Sequence, residues 1–93
     1  MRRSYTKKRR PQYLVTALKL KRSMETLDKM LKVGFIGQDE FNISKLRLIE
    51  GLSKIQTVET PSDFVIGLKS LVDRNILHKK EISEIHTILS NLN

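Results

Sequence analysis

The sequence predicts an all-α protein: a small bundle of about four helices, built from two helical hairpins and preceded by a disordered basic arm. Three observations lead there. Apolar residues recur at spacings of three and four along most of the chain, the period of one helix face. No segment alternates with period two, so strands are not expected. The charge is segregated: residues 1–24 carry nine of the 18 Lys and Arg residues and none of the ten acids. Ninety-three residues make one domain with a modest core. The chain divides into an arm, residues 1–11, and a helical domain, residues 12–93.

Residues 1–10 read MRRSYTKKRR. Six cations, Arg2, Arg3, Lys7, Lys8, Arg9 and Arg10, repel one another with no acid to pair with, which disfavours a fixed structure. Pro11 suits a first helical position, where its missing N–H is not needed. From Gln12 to Val33 the pattern is helical. Tyr13, Ala17, Leu20, Met24, Leu27 and Leu31 form one stripe, and Leu14 and Leu18 widen its start. Lys19, Lys21 and Arg22 fall beside or opposite the stripe, toward water. Gly34 is a natural stop.

A second helix is expected from about Gln38, with Asp39 and Glu40 in its first turn opposite the positive helix end. Phe41, Leu48, Leu52 and Ile55 mark its inner face, Leu46 and Ile49 broaden it, and Gly51 suggests close packing. Residues 56–60 break the pattern. Thr60-Pro61-Ser62-Asp63 then signals a helix start: a Thr cap, Pro in first position and an acid three residues after the cap. That helix should run to about Arg74 with Phe64, Val65, Leu68, Leu71 and Val72 inward. After a link at Asn75, Ile82, Ile85, Ile88, Leu89 and Leu92 form the face of a fourth. Leu27, Leu31, Leu52, Leu68 and Ile85 are expected to be buried together.

Two stretches align at a separation of 41 residues. Leu27, Met30, Leu31, Gly34, Ile36, Glu40 and Phe41 match Leu68, Leu71, Val72, Asn75, Leu77, Glu81 and Ile82. Each reads as helix end, tight turn, one buried aliphatic residue, an acid in the next first turn, and helix. Gly and Asn are the residues that best tolerate a left-handed turn. Two packed helical hairpins account for the pattern.

Residues 34–41, GFIGQDEF, resemble the end of an EF-hand loop, with Gly34, Ile36 and Glu40 at its sixth, eighth and twelfth positions. Calcium needs oxygen ligands at the first, third and fifth positions. Those are Lys29, Leu31 and Val33, and in the second copy Ser70, Val72 and Arg74, so calcium binding is not expected. Leu27, Met30, Leu31, Gly34, Ile36, Glu40, Phe41 and Lys45 also make residues 27–46, about a fifth of the chain, similar to the short hairpin modules called SHOCT domains. That resemblance implies a hairpin suited to association and carries no activity.

Enzymatic motifs are not evident. There is no Gly-rich phosphate loop and no Gly-x-Ser-x-Gly turn. The two histidines, His78 and His86, lie about 80° apart around a helix with Glu81 and Glu84 between them, a poor arrangement for a site needing three or four convergent ligands. No cofactor, metal or small-molecule substrate is expected. The chain has no cysteine, no apolar run long enough for a bilayer and no apolar segment after the basic start, and a cytoplasmic protein is expected.

The basic tract is the feature that stands above background. Flexible Arg and Lys displace the counterions condensed on nucleic acid, and Arg can enter a narrow minor groove. The expected function is a small nucleic-acid-binding accessory or regulatory protein, of the kind carried by a virus or mobile element. Its DNA or RNA contacts would be Arg2, Arg3, Lys7, Lys8, Arg9, Arg10, Lys19, Lys21 and Arg22, with the helical body available to a protein partner. In a helix-turn-helix around Gly34, the second helix would read bases with Asn42, Ser44, Lys45 and Arg47. The alternative is a protein-binding module similar in size and architecture to bacteriocin immunity proteins. A peripheral membrane role is disfavoured, because the apolar face of helix one is needed for the core.

Overall fold

The computed structural model describes residues 14–92. They form α1 (Ala17–Lys32), α2 (Gln38–Gly51), a 3₁₀ turn (Leu52–Lys54), α3 (Pro61–Ile66), α4 (Lys69–Asp73) and α5 (Lys79–Ser90). The architecture is a small all-α bundle of two hairpins. α1 packs on α2, α3 packs on α5, and α5 also meets the 3₁₀ turn. The readings of residues 1–11 as an arm, of Pro11 as a helix start and of Tyr13 as a core residue lie outside the described residues.

The first helix begins five residues later than its periodicity suggests. Thr16 is extended (φ −108°, ψ 163°) and its hydroxyl accepts from the Lys19 N–H. The Val15 N–H donates to the Gln56 carbonyl at 2.9 Å, and the Ala17 N–H donates to the Glu59 carboxylate at 2.7 Å. The connection at 55–60 therefore holds Leu14–Thr16 in an extended form and caps α1 from 42 residues away. Leu14 and Gln56 form an isolated parallel bridge, and no named strand exists among the described residues. With the helix starting at Ala17, Leu14 is not helical and Leu18 turns away from the inward line of Ala17, Leu20 and Met24. Both leucines are exposed, not part of the widened stripe.

The third predicted helix is two. Thr60 caps α3 by accepting from the Asp63 N–H at 3.1 Å, with Pro61 in first position as expected. The helix then stops at Gly67, and Leu68 (φ −99°, ψ 3°) starts α4. The break brings the Gly67 backbone against α1: a Cβ there would lie 2.7 Å from the Ala17 Cβ. The close approach expected at Gly51 is found here instead, since Gly51 faces open space.

Leu52, Leu68 and Ile85 are buried in the core with Met24, Phe64, Leu71, Ile76 and Leu77. Leu27 and Leu31 only border it, half-buried. Leu27 lines the cleft between α1 and α2. Ile49 is buried, but Leu46 is exposed beside the cleft between α2 and α5.

The 41-residue repeat has a matching backbone. In the first turn the N–H groups of Val33, Gly34, Phe35 and Ile36 donate to the carbonyls of Lys29, Leu31, Met30 and Met30. In the second, Arg74, Asn75, Ile76 and Leu77 donate to Ser70, Val72, Leu71 and Leu71, the same bonds at the same offset. Gly34 (φ 79°) and Asn75 (φ 61°) take the left-handed position in each. Glu40 accepts from the Gly37 N–H, and Glu81 from the His78 N–H, closing the next helix start identically. The copies differ in packing: Ile76 is 1% exposed, whereas its counterpart Phe35 is 76% exposed.

Lys45 contacts the second turn. It lies on the inner face of α2, and its side chain is 8% exposed. The ammonium donates to the Ile76 carbonyl at 3.0 Å, meets the Glu81 carboxylate at 3.3 Å and stands 5.1 Å from the centre of the Phe41 ring. A buried ammonium needs such partners. Lys45 thus joins the second helix of hairpin one to the turn of hairpin two.

Candidate nucleic-acid interface

Of the nine cations expected to contact nucleic acid, Arg2, Arg3, Lys7, Lys8, Arg9 and Arg10 lie outside the described residues. Lys19, Lys21 and Arg22 stand on the first half of α1. Ala17, Leu20 and Met24 set the inward line of that helix. At 100° per residue, Lys19 and Arg22 are about 60° apart and share one side. Lys21 is about 160° from Lys19, on the other flank. Lys19 and Arg22 are exposed and Lys21 is half-buried. The helix therefore brings together two of the three.

A third cation joins Lys19 from across the bundle. Lys19 on α1 and Arg47 on α2 line the same groove of about 310 Å³, floored by Leu20, Leu48 and Leu52. Arg47 is visible in the sequence only as part of a base-reading helix. Its pairing with Lys19 depends on how α1 and α2 face each other, which no local pattern encodes. The helix-turn-helix reading needs Lys45 as a reader as well, and this fails. Lys45 is buried and already bonded to Ile76 and Glu81, so it cannot reach a base edge.

Ion pairs sort the remaining charges. Asp28 pairs with Lys32, Glu81 with Lys45, Asp73 with Lys69 and Glu25 with Arg74. Among the described residues, no carboxylate pairs with Lys19, Lys21, Arg22 or Arg47. Their charge is available to a polyanion without breaking a bond. The extended residues Leu14 and Val15 lead into this region, since Val15 lines the end of the same groove.

Lys29, Lys54, Lys79 and Lys80 are also exposed and outside these ion pairs. A larger cavity, about 520 Å³, lies along the 55–60 connection and is lined by Thr57, Glu59, Thr60 and Leu89, with no cation among the described residues. His78 and His86 are exposed, and no cluster of three metal-ligating side chains occurs among the described residues. No helix among them is long and apolar enough to cross a membrane.

This chain matches no protein-family model, no curated protein and no solved structure.

Proposed function

We propose that this protein is a small nucleic-acid-binding accessory or regulatory protein that contacts phosphates through residues 2–10 and the Lys19–Arg22 side of α1. The observation that carries the reading is the charge segregation: nine cations and no acid in residues 1–24, against nine cations and ten acids in the remainder. Local positive excess of this kind attracts a polyanion and speeds its capture. The exposure of Lys19 and Arg22 on one side of α1 supports it, with no carboxylate paired to either among the described residues. The tract captures the phosphate backbone, and the exposed side of α1 then lies along it. Contacts of this type position a protein without selecting sequence.

Gel shifts with duplex DNA, single-stranded DNA and RNA across a salt series test the reading. For about four to six phosphate contacts on duplex, log K should fall against log salt with a slope of roughly −4 to −5. Deleting residues 1–10 should abolish most binding. Lys19→Glu with Arg22→Glu should weaken it further than Lys21→Glu. Absence of binding to every probe at low salt would refute the proposal.

A further inference from the structure

The groove between α1 and α2 is more than a place for two cations. It continues past Ser23, Arg47 and Leu48 into a second stretch of about 390 Å³ that ends at Leu27. Along α1, from Lys19 to Leu27, this is about 12 Å, or two helical turns. Its floor is aliphatic. Small side chains on both walls, Ser23 and Ser44, keep it open. Lys19 and Arg47 stand at its rims, and no carboxylate lines either stretch.

We propose that this groove receives an amphipathic helix of a partner protein, apolar toward Leu20, Leu48 and Leu52 and acidic along its flanks. A cleft between two helices, about two turns long, fits a third helix anchored at i, i+3, i+4 and i+7. The sign of the rim selects the flanks: acids meet Lys19 and Arg47, and a basic helix meets repulsion. The chain's own residues 1–10 carry six cations and no acid, so they have the wrong sign to fill it. This inference does not rest on nucleic-acid binding. It assigns the uncharged floor, which a phosphate backbone does not use, to a second partner.

The test uses the full chain and three labelled peptides of about 18 residues, the length of a helix-in-groove ligand. One has leucines on a single helical face and glutamates on the flanks. The second has lysines for the glutamates. The third has the composition of the first with its leucines scattered. Fluorescence anisotropy should show binding of the first, and binding at least about tenfold weaker for the other two. Ser44→Trp, which fills the groove, and Arg47→Glu, which inverts its rim, should each weaken the first peptide by about tenfold or more. Circular dichroism melts identify variants that remain folded, and Ser23→Trp is the second groove-filling variant should Ser44→Trp unfold. Ser44→Trp should leave the duplex gel shift unchanged, which separates failure of this inference from failure of the nucleic-acid reading. Equal binding of all three peptides, no binding of the first, or indifference to a folded groove-filling variant would overturn the proposal. So would a concentration-dependent dimer abolished by Ser44→Trp, which would make a second copy the occupant.

Discussion

Lys45 of α2 and Glu81 of α5 form an ion pair at 3.3 Å between the two hairpins, with the Lys45 side chain 8% and the Glu81 side chain 20% exposed. The same ammonium holds the Ile76 carbonyl, and the same carboxylate closes the start of α5 by accepting from the His78 N–H. One cation therefore orders a turn, a helix start and the hairpin–hairpin contact.

Breaking that pair should cost more than a surface salt bridge does. Lys45→Ala should destabilise by about 3 kcal/mol, because it leaves the Ile76 carbonyl and the Glu81 charge uncompensated. Lys45→Met should cost less, since it keeps the buried aliphatic stem. In urea unfolding, a double-mutant cycle of Lys45→Met with Glu81→Gln should give a coupling of about 1–3 kcal/mol. A coupling of zero would remove the pair as an organising contact.

Gly51 and Gly67, each at a helix end, should respond oppositely to alanine. Gly67→Ala places a Cβ 2.7 Å from the Ala17 Cβ and should destabilise by about 1–3 kcal/mol through overpacking. Gly51→Ala meets open space at the end of α2 and should stabilise by up to about 1 kcal/mol. Thermal melts of both variants decide it, and recovery of Gly67→Ala by Ala17→Gly would locate the clash.

At the repeated turns, the left-handed backbone sets the tolerance. Gly34→Ala should cost about 1–2 kcal/mol, while Asn75→Gly should be neutral or slightly stabilising. Equal stability of wild type and Gly34→Ala would mean that the turn relaxes to another conformation. Unfolding midpoints in urea give the answer.

The cap of α1 comes from a distant residue, so its loss should be felt in two places. Glu59→Ala removes the acceptor of the Ala17 N–H and should destabilise by about 1–2 kcal/mol. Amide exchange should speed up at Ala17 and also at Val15, whose N–H is bonded to Gln56 in the same connection. Faster exchange at Ala17 with Val15 unchanged would show that the two contacts act separately.

Much of this protein was legible in one dimension. The spacing of Leu20 and Met24, and of Ile85 and Leu89, placed helices correctly because helix periodicity is local and these residues are all buried. The Thr60-Pro61 start and the left-handed turns at Gly34 and Asn75 were equally legible, since caps and turns depend on backbone chemistry within a few residues. The pairing of the two turns at 41 residues followed from the same local rules applied twice.

Tertiary structure decided the rest, wherever the deciding partner lies far along the chain. The Leu14–Thr16 segment has a helical pattern, but Gln56 and Glu59 hold its backbone out of the helix. Lys45 looks like a surface cation on α2 until the second hairpin brings Ile76 and Glu81 to it. Lys19, Lys21 and Arg22 are neighbours in sequence, yet α1 divides them between two flanks, and Arg47 joins Lys19 only because α2 packs alongside. The sequence alone determined where the charge is concentrated and which segments coil. Which charges meet, and which are buried, depended on long-range packing, because an ion's partner is set by distance in space and not by separation along the chain.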